Sequence, residues 1–177
     1  MTRHQIRVRD IEAKDVDTIS KIHVDVWNET YRGILPDEEI DRRTYSSSKK
    51  HWAQALDKPD KHTFYLLAET EGQTAGFCIA SSRPRDSFDY DSELMAINIL
   101  KAHHRKGIGK ALFFETMRRL QSMGCKKMYL WVAEKNINAI DFYRRLGCIP
   151  INESKEDHGS TEIAFGININ DKADWDQ

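Results

Sequence analysis

The chain has 177 residues, a length that suits one domain with one sizeable core. Apolar residues make up 40%, charged residues 31%, and 27 basic side chains nearly balance 28 acidic ones for a net charge of -1. That balance supplies no overall field to draw in nucleic acid or an anionic membrane, so recognition by charge has to be local. No apolar run approaches the roughly 18–20 residues that span a bilayer. Arg3, Arg7 and Arg9 are followed by no apolar stretch, unlike a secretory signal. Cys78, Cys125 and Cys148 are odd in number, form no CxxC pair and sit among apolar residues. They are expected as reduced core thiols of a cytoplasmic protein, with no metal site.

Residues 6–9 alternate apolar and charged side chains, which predicts a first strand. Val16, Ile19, Ile22 and Val26 recur at helical spacing, with Asp15 and Asp17 near the start, where the helix dipole favours anions. Trp27 and Tyr31 follow, then Gly33 and Pro36, which can open a second helix. Ser46, Ser47 and Ser48 offer an N-cap for a third helix carrying Trp52 and Leu56 and stopped before Pro59.

The period then changes to two. Residues 64–69 and 74–81 flank Glu71-Gly72 as a hairpin, and 82–91 is a polar loop. Residues 93–100 form an apolar strand, expected to be buried on both faces. A basic stretch, 101–106, leads into Gly107-Ile108-Gly109. The helix after it carries Ile108, Leu112, Phe113, Thr116, Met117, Leu120 and Met123 on one side, with Gly124 just past its end. A strand at 127–132, a helix at 138–146 ended by Gly147, and a strand pair at 148–151 and 161–167 complete the chain. The pattern predicts a mixed α/β domain over 1–170 and a frayed tail over 171–177.

Residues 101–110, KAHHRKGIGK, hold four fixed positive charges and no acid, between a strand and a helix. Unpaired N–H groups at such a turn, the helix dipole and two glycines suit a pyrophosphate cradle, with Arg105, Lys106 and Lys110 adding charge-assisted bonds. The alternative is an ordinary βα turn. GxxxxGK[ST] is not present, and GxGxxG fails because Leu112 stands where the third glycine belongs. Further on, Asn136 is a good N-cap, Phe142 and Leu146 are spaced to bury together, and Tyr143 lies beside that stripe. On its own Tyr143 suits an amphipathic anchor as well as a cleft-edge hydroxyl.

Together these elements resemble the GNAT superfamily of acyl-CoA-dependent N-acetyltransferases. His104-Arg105-Lys106-Gly107-Ile108-Gly109 is similar to its [RQ]-x-x-G-x-[GA] signature, with His104 where Gln or Arg is usual. Asn136, Ala139, Phe142-Tyr143 and Gly147 match its second signature, and residues 27–41 resemble the substrate-side helices of a bacterial branch. The resemblance covers roughly residues 6–167. It implies a mostly antiparallel sheet of six to seven strands flanked by four to five helices and splayed between the fourth and fifth strands.

The implied activity is direct transfer of acetyl from acetyl-CoA to a primary amine, of a small molecule such as a polyamine or of a protein. The pantetheine arm would pair with backbone near Ile97, Asn98 and Ile99. The pyrophosphate would rest on His104, Arg105, Lys106, Gly107, Ile108, Gly109 and Lys110. Asn136 and Ala139 would contact the arm from the other side. Tyr143 matches the tyrosine that protonates the leaving thiolate. Glu93, eleven residues before His104, stands where the histone-acetylating branch places its base. Trp27 and Tyr31, with Phe88 and Tyr90, are candidate walls of an acceptor pocket, and Asp86, Asp89 and Asp91 either attract a cation or form a solvated acidic loop. No nucleic acid, membrane or metal partner is expected, and a homodimer is left open. The competing reading is a non-catalytic acyl-CoA-binding module acting as sensor or scaffold.

Overall fold

The computed structural model describes residues 5–86 and 88–170. The tail expected to fray, 171–177, lies outside the described residues. Among them, β1 (Ile6–Asp10) leads to α1 (Val16–Tyr31), α2 (Asp37–Asp41) and α3 (Tyr45–Asp57). The antiparallel run β2 (Thr63–Thr70), β3 (Gln73–Ser81) and β4 (Ser92–Ile99) follows. Then come α4 (Ile108–Ser122), β5 (Lys127–Ala133), α5 (Ile137–Arg145), β6 (Ile149–Asp157) and β7 (Ser160–Asn168). One seven-stranded sheet has the order β1-β2-β3-β4-β5-β7-β6. The β4–β5 pair is parallel and the other pairs are antiparallel. No described helix is long and apolar enough to cross a membrane.

Helices cover both faces. On one, α4 and α5 bury Leu112, Phe113, Met117, Leu120, Ile140 and Leu146 against Cys78, Leu94, Leu130, Val132 and Phe165. On the other, Ile19, Ile22 and Val26 of α1 and Trp52 of α3 pack on Leu67 and Phe77. The α1 stripe is thus buried as its spacing predicts. Met123 departs from the α4 stripe: it follows the last helical residue and is 43% exposed. The α3 cap also differs from expectation. The Thr44 side chain accepts from Ser47 N at 3.1 Å, while Ser47 Oγ accepts from Thr44 N at 3.0 Å. This reciprocal pair starts the helix at Tyr45, one residue ahead of the serine run. β6 extends well past residue 151, because its polar second half is an exposed strand that pairs with β7 alone.

The site depends on what happens at β4. Its first three residues pair with β5, Ser92 with Met128, Glu93 with Tyr129 and Leu94 with Leu130, and the pairing stops there. At the same point β4 is bulged: Ala80 and Ile79 of β3 face Leu94 and Ala96, leaving Met95 as the extra residue. A bulge bends its strand and sharpens the local twist. β4 beyond Met95 stays with β3, while β5 stays with β7 along its whole length. The two central strands therefore splay, and the second half of β4 is half-buried where burial on both faces was expected.

Gly76 lets β3 follow the bent β4. A side chain there would place its Cβ 2.4 Å from Asn98 O and 3.0 Å from Ile99 Cα, both backbone atoms. Gly76→Ala is expected to lower stability by about 1–3 kcal/mol, as overpacked sites do. Chemical denaturation of the two proteins measures it.

Candidate active site

The fork opens backbone hydrogen-bonding groups. In an antiparallel pair, N–H and C=O of one residue point to the same side, and successive residues alternate. Leu100 N donates to Ala75 O at 3.0 Å, so Leu100 and Asn98 face β3. Ile97 and Ile99 turn their backbone groups toward the gap. The side chains of Ile97 and Ile99 pack on the α4/α5 core, which puts Asn98 on the α1 face.

The gap ends at the basic turn. A 3-10 turn, Lys101–His103, connects β4 to the segment before α4. Arg105 and Gly107 both have left-handed backbone, with φ of 59° and 85°. No side chain caps α4, whose N-cap is Gly107. The first N–H groups of a helix lack internal partners, and turns of alternating hand gather such donors into an anion-binding concavity. Arg105, Lys106 and Lys110 are exposed beside it. The two glycines have different tasks. Gly107 supplies the left-handed turn. Gly109 is buried, and a Cβ there would lie 3.0 Å from both Ile99 Cδ1 and Phe142 Cζ, so its bareness lets α4 pack against β4 and α5. Ile108 is likewise a core side chain and can offer only backbone. His104 turns back, its Nε2 lying 2.9 Å from Ile99 O, and ties the turn to the end of β4.

Across the gap, β5 leads into α5. Asn136 caps α5 as predicted, its Oδ1 accepting from Ala139 N at 3.2 Å. Tyr143 is 7% exposed and lies between Phe113 and Phe142, with ring centroids at 6.4 and 5.1 Å. Burial pushes its phenol well above the ordinary tyrosine range, with Cys78, Tyr31 and Cys148 adding to the rise. Tyr31 ends α1 on the opposite face of the sheet. Tyr31 packs at a tilt on Trp27, one helical turn before it, with ring centroids 4.5 Å apart.

Glu93 lies at the closed end of the fork. It is fully buried, and Arg85 holds it. Arg85 Nε donates to both carboxylate oxygens at 3.0 Å, Nη2 donates to Oε1, and Arg85 N donates to Oε2 at 3.2 Å. The Arg85 side chain is itself 58% exposed. Among the described residues, Glu93 is not one of the groups acting on Tyr143.

The acids of the 82–91 loop act as straps. Asp86 Oδ2 accepts from Tyr129 Oη at 3.0 Å and Trp131 Nε1 at 2.8 Å, and those bonds hold its carboxyl below the usual range. Asp91 accepts from the backbone N–H groups of Lys126 and Lys127, and Asp89 pairs with Lys127. Phe88 packs on Tyr129 and Trp131, and Tyr90 covers Gly166. Sequence reasoning did not find Arg85, whose role comes from the 82–91 loop folding its guanidinium onto the Glu93 carboxylate.

A strand fork with open backbone, an uncapped basic helix start beside it and a buried tyrosine across it suit an acyl-CoA-dependent acetyltransferase. Residues 22–148 match the model of the acetyltransferase (GNAT) family. The chain belongs to that family. It is 30% identical over 139 residues to the uncharacterized N-acetyltransferase YuaI of Bacillus subtilis, covering 78% of each. It is 24% identical over 148 residues to spermidine N(1)-acetyltransferase of Thermoplasma acidophilum, covering 80% of this chain and 87% of that one. The crystal structure of PaiA N-acetyltransferase from the same organism, in complex with coenzyme A, shares the fold. Its TM-score is 0.74 at 21% identity, over 90% of this chain and 98% of that one.

Proposed function

We propose that this acetyltransferase moves acetyl from acetyl-CoA directly to a primary amine, both bound at once. The observation that carries the reading is the fork: the backbone of Ile97 and Ile99 faces a gap that ends at the uncapped start of α4. An amide-bearing arm can pair with such a strand, and phosphates suit the turn over residues 104–110. The Asn136 side chain and the Ala139 turn flank the arm from the β5 side. The direct route is supported by Cys78, whose burial pushes its thiol up to about 12 and leaves it a poor nucleophile.

In the reaction the amine nitrogen bonds to the acetyl carbon, the carbon–sulfur bond breaks, and the amine loses a proton. A gap-facing N–H, that of Ile97 or Ile99, would meet the negative charge that develops on the acetyl oxygen. Tyr143 supplies a proton to the departing sulfur. Its raised pKa keeps it protonated at rest, and the same burial raises the basicity of a thiolate formed beside it. Glu93 is the proposed acceptor of the amine proton, by way of water. Arg85 occupies both carboxylate oxygens, so the transfer involves Arg85 swinging out, as its exposed side chain permits.

Thiol release from acetyl-CoA with a panel of amines tests the reading, and a non-catalytic module would release none. Tyr143→Phe should lower kcat by about 10²–10⁴-fold, the usual worth of a general acid, with acetyl-CoA affinity nearly constant. An unchanged rate, where chemistry is limiting, would remove the acid role. Glu93→Gln should slow the reaction most at neutral pH, where an amine of pKa near 10 is protonated. The deficit should shrink as pH approaches 10. A pH-independent deficit would move the base role elsewhere.

A further inference from the structure

Arg43 lies between α2 and α3 and has an unusual setting for a guanidinium. It is largely buried, with Cζ 4.0 Å from the centre of the Trp27 ring. Among the described residues no carboxylate pairs with it, and its Nε is buried without a hydrogen-bond partner. The indole Nε1 of Trp27 is also buried without one. The contact Arg43 does make is between Nη1 and His23 Nε2, at 2.8 Å. Burial, reinforced by the charge of Arg43, lowers the His23 pKa to about 3, so His23 is neutral and offsets no charge. Burial likewise lowers the Arg43 pKa, and Tyr31 is the neighbour that acts against the fall.

A buried cation without a counter-charge is costly, and so is a buried donor without an acceptor. Here a cation and two unpartnered N–H groups meet beside one aromatic pair. Trp27 packs on Tyr31, ring centroids 4.5 Å apart. The charges of Glu162 in β7 and of Arg43 act on the Tyr31 phenol in opposite senses, and Tyr31 in turn adds to the rise at Tyr143. Glu162 is a half-buried carboxylate paired with Lys155 at 3.7 Å.

We propose that Arg43 and the Trp27 indole N–H form an anion subsite, and that the acceptor is an amine carrying a carboxylate, an amino acid or a similar zwitterion. The subsite rests on the acetyl-transfer reading of the fork and names its substrate class. Guanidinium and indole N–H bind the carboxylate, while Glu162 draws the ammonium end toward Tyr143. A polyamine has nothing to offer Arg43 and would meet a like charge there.

The test compares amino acids with their decarboxylated amines: L-lysine with cadaverine, L-phenylalanine with phenethylamine, L-histidine with histamine. The wild-type protein should favour the acid member of at least one pair, by about 10–100-fold in kcat/KM, the worth of a charge-assisted bond. In Arg43→Gln that preference should vanish through a rise in KM for the acid, while the amine, relieved of the like charge, is used no worse. Arg43→Lys, which keeps the charge and the stem on Trp27, should lose only part of it. Binding is read separately, as the rise in Tm on adding each compound to both proteins. Stabilisation by the acid that is absent in a folded Arg43→Gln supports the subsite even if no thiol is released, an outcome that would sink acetyl transfer to these amines instead. Equal or better use of the decarboxylated amines, equal losses for both members in the variant, or no acid-specific stabilisation would overturn the subsite.

Discussion

A strand cannot hydrogen-bond two diverging neighbours, and at Met95 β4 keeps one and releases the other. Buried backbone donors and acceptors need partners, so a strand freed on one side in the middle of a sheet is either solvated or paired with something else. Here the freed groups belong to Ile97 and Ile99, whose side chains are anchored in the α4/α5 core. The edge is therefore open in its backbone and fixed in its position. Gly76 and Gly109 maintain it from two directions, one by letting β3 follow the bend and the other by letting α4 close over Ile99.

The fork also joins two surfaces that a continuous sheet would separate. On one side lie α4, α5 and Tyr143; on the other lie α1, Trp27 and Tyr31. Their charges differ in kind. The start of α4 gathers lysine, arginine and unpaired N–H groups, which suits phosphate. The α1 side sets Arg43 over Trp27 and Trp27 against Tyr31, one fixed cation on an aromatic pair rather than a cluster. At the closed end, Glu93 and Arg85 form a pair that fastens the 82–91 loop, and Asp86 and Asp91 fasten it further.

The sequence carried the helices, most of the strand positions and both glycine-marked turns, because these depend on local spacing and capping. Asn136 was legible as a cap for the same reason. The Thr44 cap was missed because three serines nearby offer the same chemistry. The bulge at Met95 leaves no mark in an apolar run. The packing task of Gly109 was not legible because its partners, Ile99 and Phe142, come from β4 and α5. The acids of the 82–91 loop carried two readings in the sequence, and only the bonds from Tyr129, Trp131 and the 126–127 backbone separate them. Arg43, beside Arg42 in a polar stretch, acquires its character from burial against Trp27 and His23, on a helix that ends well before it.

Amide hydrogen exchange along β4, followed by NMR with and without coenzyme A, tests the fork most directly. Exchange at a strand amide slows when the amide gains a hydrogen-bond partner that excludes water. The Asn98 amide, which faces β3, should be protected in both states. The Ile97 and Ile99 amides should exchange faster in the free protein and slow by about tenfold or more when coenzyme A binds. Binding of coenzyme A that leaves Ile97 and Ile99 as they were would contradict the account, since the ligand would then be held without the strand that the bulge sets free.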